Sequence, residues 1–576
     1  MSPLLPDGDG RAPPPVPDDD ASVFAAFERI ATEHPRRPFL QILPEVAHRA
    51  GIAPIELDYG RALVAVREIA ARFAAAGYGH GHRAGLLLEN RPSFFLTWLA
   101  LNALGVSVVP INGELRAAEL DYLVEHSGLC VAVALPARVD DLRAAAARTG
   151  CTVCVVPSLD DETHAGPGGA APRGLASLAP APGPAPRAGD PGPDSECGLL
   201  YTSGTTGRPK GCVLDNAYYL IAGRWYLRAG GLCAIRFGQE RLITPLPMTH
   251  MNAMAYSTMA MLLSAGCVVP LDRFHPSSWW RAVRASRATI VHYLGVMPAM
   301  LIGAPESPDD RDHGVRFGFG AGVDRRHHAS FEARFGFPLL EAWAMTETGA
   351  GAVVIANREP RHVGQSCFGV PGPELELRIV DEADRDVPDG TPGELLVRAA
   401  GPEPRRGFFR EYLKDAEATA QAWAGGWFRT GDVVRRGEAG ALHFVDRRKN
   451  VIRRSGENIA AVEVESVLRR HPGVLEVAVA ATPDPVRGDE VLACVVPAAP
   501  LDAAGRDALA RELVGLALEQ LAYFKAPGWV AFVDALPLTP TQKVQRGELK
   551  ALAATLPGTE RCVDTRALKK RPASHP

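Results

Sequence analysis

The chain has 576 residues, 47% of them apolar and 22% charged, with a formal net charge of −4. That length exceeds what one hydrophobic core ordinarily serves, so at least two domains are expected, and the small negative charge gives no electrostatic reason for a nucleic-acid partner. The opening MSPLLPDGDGRAPPPVPDDD lacks a basic stretch followed by an apolar core, so it does not read as a signal peptide, and no apolar run is long enough to span a bilayer.

Residues 1–20 are rich in Pro, Gly and Asp and read as disordered. From Ser22 to Glu33, Val23, Phe24, Phe27 and Ile30 recur at helical spacing. Helix signals over Ala62–Ala76 and Pro92–Leu104 alternate with the short apolar runs Ala84–Leu88 and Val106–Pro110. That order predicts a parallel sheet covered by helices. Cys151-x-x-Cys154 lies in CTVCVV and reads as a strand with two small buried side chains rather than a metal or redox pair. The ten cysteines are scattered, which fits reduced thiols and a cytoplasmic location. Residues 165–194 are Pro/Gly/Ala-rich and lack any period, which predicts a loop. Alternation resumes after Gly198 and continues through Met259–Val269 and Ser278–Gly295.

Beyond Asp446 the elements shorten. A helix is expected over Ala460–Arg470, strands over Val474–Ala480 and Glu490–Val496, a helix over Arg506–Leu521 and a strand over Trp529–Asp534. This reads as a small α+β domain over 447–556, with 21–446 as the large domain and 557–576, bearing Lys569, Lys570 and Arg571, as a loose tail.

One stretch stands out by chemistry. Leu200-Tyr-Thr-Ser-Gly-Thr-Thr-Gly-Arg-Pro-Lys-Gly211 is almost entirely hydroxylated, glycine, proline or basic. Backbone N–H groups of a Gly-rich turn converge on anions, and small residues let a phosphate approach. Thr202, Ser203, Thr205 and Thr206 add hydroxyls, Gly204 and Gly207 add room, and Lys210 adds charge. The spacing is not that of a Walker A loop, and on composition alone such a Gly/Thr-rich turn is more often a plain loop.

Further motifs follow in order: Pro247-Met-Thr-His250, Gly318-Phe-Gly-Ala-Gly322, Trp343-Ala-Met-Thr-Glu347, Gly426-Trp-Phe-Arg-Thr-Gly-Asp432, Asp446-Arg-Arg-Lys449, Ser455-Gly-Glu-Asn-Ile459 and Pro537-Leu-Thr-Pro-Thr-Gln-Lys543. Together with the loop they resemble the adenylate-forming superfamily of acyl-CoA synthetases, firefly-type luciferases and peptide-synthetase adenylation domains. The resemblance spans residues 21–556. It implies a large N-terminal domain of layered α/β sheets with a small barrel-like part, and a small mobile α+β C-terminal domain.

It also implies a chemistry. A carboxylate attacks the α-phosphorus of ATP, pyrophosphate leaves, and a thiol takes the acyl group from the adenylate. By resemblance, Thr202–Lys210 grips the β- and γ-phosphates, and Glu341, Ala342 and Trp343 border the adenosine, with Trp343 against the adenine where the family usually has Tyr. Thr346 donates to the α-phosphate, Glu347 holds Mg²⁺, Asp432 accepts the ribose hydroxyls and Arg447 adds a ribose contact. Lys543 bridges the acid and the α-phosphate, and His250 joins Gly320, Ala321 and Gly322 at the acyl pocket. Lys449 is the hinge, and Ser455, Gly456 and Glu457 line a tunnel for CoA. Two positions depart from the family form, Ala344 for Gly and Gln542 for Gly.

Met248-Thr-His-Met-Asn-Ala253, His292-Tyr-Leu-Gly-Val296, Glu341-Ala-Trp-Ala344 and the ending Thr541-Gln-Lys543 look most like the crotonobetaine/carnitine-CoA ligase group. A quaternary ammonium needs rings or a carboxylate, and Trp225, Tyr226, Trp279, Trp280 and Tyr293 are candidates. Met248, Met251, Met254 and Met259 suit an adaptable apolar wall. The expected partners are ATP, Mg²⁺, free CoA and a small or medium carboxylic acid, with no membrane span and a homodimer left open. A stand-alone adenylating enzyme that loads a separate carrier protein is the alternative.

Overall fold

The computed structural model describes residues 18–158, 175, 177–202, 208–447, 451–537 and 544–569, and for 446, 447 and 451 the backbone alone. The expected disordered start up to residue 17, most of 165–176, residues 203–207, Lys449 and Lys543 lie outside the described residues. Two compact units emerge. One takes in the described residues of Met1–Gly113, Val124–Leu200 and Gly211–Asp446, and the other those of Glu114–Leu123, Tyr201–Lys210 and Arg447–Pro576.

The larger unit carries the expected alternation. A seven-stranded sheet runs in the order Glu411–Tyr412, Lys210–Asp215, Glu196–Thr202, Ser107–Pro110, Arg83–Leu87, Val131–Ala134, Cys154–Pro157. Arg83–Leu87 pairs in parallel with strands on both sides, Ser107–Pro110 and Val131–Ala134, which are buried throughout, as a sheet covered on both faces requires. A second sheet of eight strands places Leu339–Trp343, Phe317–Ala321, Ile290–Leu294 and Arg241–Thr244 side by side, all parallel. Helix Val23–Glu33 starts where the spacing predicts. Ser22 Oγ accepts the Ala25 N–H at 3.1 Å, and Val23, Phe27 and Ile30 are buried. Helix Pro92–Ala103 is apolar on all sides and is buried nearly throughout. An antiparallel sheet of five strands, from Cys367–Gly369 to Leu375–Val380, forms the third part. The protein is thus mixed α/β, with a large N-terminal part and a smaller C-terminal one.

In the smaller unit the hairpin Val451–Arg454/Glu457–Ala460, the long pair Val474–Asp484/Gly488–Pro497 and the strand Trp529–Phe532 form one sheet. Val464, Val479, Val495 and Leu513 pack in its core with helices Ala461–Leu468 and Ala503–Gln520.

Two expectations need correction. The stretch after residue 556 is not loose throughout: Cys562–Asp564 adds an antiparallel edge strand to Trp529–Phe532, and Lys569 is buried. Three residues carry too little alternation to announce a strand. The Cys151–Cys154 pair is only half-buried, and just Cys154 lies in a strand, because Gly150 in the left-handed conformation ends the preceding helix immediately before Cys151. None of the ten cysteines forms a disulfide. Among the described residues no helix is long and apolar enough to cross a membrane.

Candidate active site

Strand Phe317–Ala321 ends in the Gly-rich motif. It lies so close to Ile290–Leu294 that a Cβ on Gly320 would stand 2.3 Å from the Tyr293 carbonyl oxygen, so glycine is required there. The neighbouring strand Leu339–Trp343 carries Glu341, whose buried carboxylate holds the end of the motif. Its Oε2 accepts the Gly322 N–H (3.0 Å) and its Oε1 the Val323 N–H (2.7 Å). Glu341, expected beside the nucleotide, therefore positions the Gly320–Ala321–Gly322 backbone. Ala342 pairs with Ile355 across the antiparallel edge.

The chain then turns through Thr346 and Glu347. Met345 N–H bonds to Thr348 Oγ1 at 2.9 Å, and the buried Tyr218 hydroxyl donates to the Thr346 carbonyl at 2.8 Å. Glu347 is buried, and Oε1 accepts the Tyr412 hydroxyl at 2.8 Å. Burial, with the Glu347 carboxylate second, pushes the Tyr412 phenol far above its ordinary range, so it stays a donor. The carboxylate is thus aimed rather than free to swing. An oxygen ligand of this kind fits Mg²⁺, which is held through one or two carboxylates plus substrate phosphates.

Asp432 sits in the middle of strand Phe428–Arg436, wholly buried. Trp343 Nε1 donates to its Oδ2 at 2.9 Å, and the indole packs against Phe368, centroids 6.1 Å apart. The tryptophan expected at the adenine thus also holds the carboxylate expected at the ribose. A tyrosine has no ring N–H to do this. Trp343→Phe keeps an aromatic face but removes the donor, and hydrogen bonds to charged groups contribute about 1.5–3 kcal/mol. We expect ATP binding to weaken by about tenfold on titration; unchanged binding would show that the bond is incidental.

His250 is half-exposed, and its carbonyl accepts from Met254 N–H (3.3 Å) as the chain enters a π-helical turn, Asn252–Thr258. The i→i+5 pattern turns Asn252 and Ser257 toward the same nitrogen, whereas an α-helix would separate them. That nitrogen is Nδ1 of His292, 2.7 Å from Asn252 Oδ1 and 2.8 Å from Ser257 Oγ. The His292 Nε2 lies 3.1 Å from the Tyr226 hydroxyl. A proton on Nδ1 satisfies the set, with Tyr226 donating to Nε2. The imidazole stacks on Phe319 of the Gly-rich strand at 4.8 Å, and Tyr226 stacks on the same ring at 4.7 Å.

His292 and Tyr226 stand out separately in the sequence, but no local pattern joins them; Ile290–Leu294 merely carries a His and a Tyr in an otherwise apolar, buried strand. Trp225 joins the cluster edge-on to Tyr256 and Phe319. Of the other rings weighed for the acid, Trp279 and Tyr293 lie in a separate core, with Trp280 packed against it. Met248, Met254 and Met259 are buried, and only Met251 is half-buried.

Burial pushes the His292 imidazole down from its ordinary 6.5 to about 3. The folded protein keeps it neutral while the unfolded chain protonates it below pH 6.5. Its contribution to stability is therefore full above pH 6.5 and is lost as pH falls towards 3, by about 1.4 kcal/mol per pH unit. His292→Gln, which cannot charge, should flatten the fall in melting temperature between pH 7.5 and 5; an equal fall in both proteins would contradict this.

The remaining expected residues belong to the smaller unit. Thr202 and Lys210 are half-buried at the ends of the loop whose residues Ser203, Gly204, Thr205, Thr206 and Gly207 are outside the described set. Its C-terminal side is tied down: Tyr122 donates to the Pro209 carbonyl at 2.8 Å, and Arg208 lies over the Tyr122 ring at 5.2 Å. Arg447 ends strand Leu442–Arg447. In the hairpin, Arg454 pairs with Glu457, so Ser455 and Gly456 form a two-residue turn with φ of +50° and +90°. Both left-handed values mark a type I′ turn. The segment that holds Lys543 has a fixed base. Gln545 N–H donates to the Pro537 carbonyl at 2.8 Å, and Arg546 grips Glu465 at 2.6 Å.

Residues 27–413 match the model for AMP-binding enzymes, and 463–543 the model for the C-terminal domain of AMP-binding enzymes. The sulfoacetate–CoA ligase of Cupriavidus necator is 31% identical over 544 residues, covering 94% of this chain and 99% of its own. A crotonobetaine/carnitine–CoA ligase of Citrobacter koseri is 30% identical over 487 residues, covering 83% and 90%. In fold, the o-succinylbenzoate CoA synthetase of Bacillus subtilis superposes with a TM-score of 0.74 at 23% identity, covering 91% of this chain and 98% of that one.

Proposed function

The chain belongs to the AMP-binding enzyme family, in its acyl-CoA synthetase branch, and is an AMP-forming acid–thiol ligase that uses ATP, Mg²⁺ and CoA; from this premise we propose that it activates a small or medium carboxylic acid and passes the acyl group to free CoA.

The acid's carboxylate oxygen attacks the α-phosphorus, the bond to the bridging oxygen breaks, and pyrophosphate leaves with the electron pair. The thiolate of CoA then attacks the acyl carbon and AMP leaves. The first step brings an anion to a polyanion, so positioning and charge cancellation do most of the work. Lys543 bridges carboxylate and α-phosphate, the hydroxyl of Thr346 donates to the same phosphate, and Thr202–Lys210 holds the departing pyrophosphate. Mg²⁺, when bound, neutralises phosphate charge, and Glu347, fixed by Tyr412, would hold it. Asp432, oriented by Trp343, accepts the ribose hydroxyls.

The observation that carries the acid assignment is the ring cluster on the Gly-rich strand. The turn that follows His250 is tied through Asn252 and His292 to Phe319. Trp225 and Tyr256 pack beside that ring, and Glu341 fixes the end of the Gly-rich motif through the Gly322 and Val323 N–H groups. We read this packed ring cluster as the inner wall of the acyl site. It suits a compact acid, and a carnitine- or crotonobetaine-like cation is one, since rings attract quaternary ammonium. The relatives that act on sulfoacetate and on crotonobetaine or carnitine support a short acid with a charged end.

The test is pyrophosphate release from purified protein with ATP and Mg²⁺ across carnitine, crotonobetaine, sulfoacetate and a ladder of straight, branched and aromatic acids, each with and without CoA. Release that requires one short acid and rises with CoA supports the proposal. Acid-dependent release indifferent to CoA would favour loading of a separate carrier protein.

A further inference from the structure

The described residues beyond 556 reach a buried charge cluster that the adenylation chemistry does not use. Lys569 is buried, and its Nζ donates to Glu490 Oε1 at 2.6 Å. Glu490 is fully buried and also receives Arg454, whose Nε lies 2.9 and 2.8 Å from the two carboxylate oxygens. Val491 N–H adds a third donor at 2.8 Å. Burial alone would raise the Glu490 carboxyl, but Lys569 and Arg454 overcome it and hold it below the ordinary range. Space for this carboxylate is set aside: a Cβ on Gly528 would stand 2.5 Å from it.

The tail is delivered to this point by its own contacts. Cys562–Asp564 extends the sheet, Thr565 Oγ1 donates to the Pro527 carbonyl at 2.9 Å, and Arg566 lies over the Trp529 ring at 4.4 Å. Arg454 is the last residue before the Ser455–Gly456 turn, and Ser455 N–H is held by the Arg487 carbonyl at 3.0 Å. Burying ions is costly unless every partner is present, and a lone charge left behind strains whatever it is attached to. Here the Arg454 backbone leads directly into the left-handed turn.

We propose that the tail is a clasp in which Lys569, through Glu490 and Arg454, positions the Ser455–Gly456 turn for thioester formation. This rests on the reading that the turn borders the CoA path. Lys569 touches no substrate in this scheme; it is a positioning residue.

Three full-length proteins test it: Lys569→Met, Lys569→Arg and Gly456→Trp. Acid-dependent ATP–pyrophosphate exchange reports adenylation, thioester formation against CoA concentration reports the second step, and melting temperature reports the fold. Lys569→Met should leave exchange unchanged and raise KM for CoA by about fivefold or more, and Lys569→Arg should restore it. If Lys569→Met folds poorly, Arg454→Met/Glu490→Leu/Lys569→Met, which leaves no buried charge unpaired, carries the same expectation. An unchanged KM for CoA, or equal loss in both half-reactions, overturns the clasp. Should Gly456→Trp itself leave thioester formation intact, the reading of the turn fails; should it block the step while the Lys569 variants do nothing, only the clasp fails.

Discussion

Lys543→Ala should slow acid-dependent ATP–pyrophosphate exchange by roughly 10²- to 10³-fold, the loss typical when one donor to a developing charge is removed. A carboxylate is a weak nucleophile, and its target already carries negative charge. The transition state therefore gathers more charge than either reactant, and a cation bridging the two stabilises it more than the ground state. Lys543 is the only charge in Pro537-Leu-Thr-Pro-Thr-Gln-Lys-Val-Gln545. The base of that segment is closed by the Gln545–Pro537 bond and anchored by Arg546 on Glu465. ATP binding should stay near wild type in a direct titration, since the phosphate loop and Asp432 are untouched. Lys543→Arg should recover little, because a planar fork does not replace a compact ammonium. Exchange at the wild-type rate in the alanine variant would remove the lysine from the mechanism.

The second large effect is expected at the hairpin turn. Gly456→Trp should cut thioester formation by about 100-fold or more while adenylation persists, since misplacing or blocking one reactant removes the advantage of proximity. Gly456 has φ of +90°, so any side chain there is strained, by about 1–2 kcal/mol. Gly456→Ala separates the two effects: it carries the strain without the bulk. Its melting temperature should fall with that of the tryptophan variant while its thioester step remains fast. If alanine and tryptophan lose the thioester step alike, the turn matters for folding and not for the CoA path.

Much of the layout is legible in the residues themselves. Helix Val23–Glu33 announces its start with Ser22 and its buried face with Val23, Phe27 and Ile30, because a cap and a 3.6-residue repeat are local properties. The run from Arg83 to Pro110 alternates strand, helix and strand closely enough to predict parallel pairing, as Arg83–Leu87 and Ser107–Pro110 show. Short motifs likewise single out Trp343, Glu347 and Asp432 by residue type and order. What those side chains meet is another matter. The indole of Trp343 finds Asp432 89 residues later, and Tyr412 reaches Glu347 across 65. No local pattern encodes either contact.

By itself, then, the sequence determined the alternating α/β order, which follows from local periodicity, and the set of motifs in order whose resemblance to the adenylate-forming superfamily implies the chemistry. Only the tertiary structure decided that Glu341 holds the Gly-rich strand, that a π-turn hands Asn252 and Ser257 to a neutral His292 beneath Phe319, and that Lys569 closes a buried trio beside the Ser455–Gly456 turn. Each joins residues far apart in the chain, and burial with matched hydrogen bonds, rather than any repeat along the backbone, selects such partners.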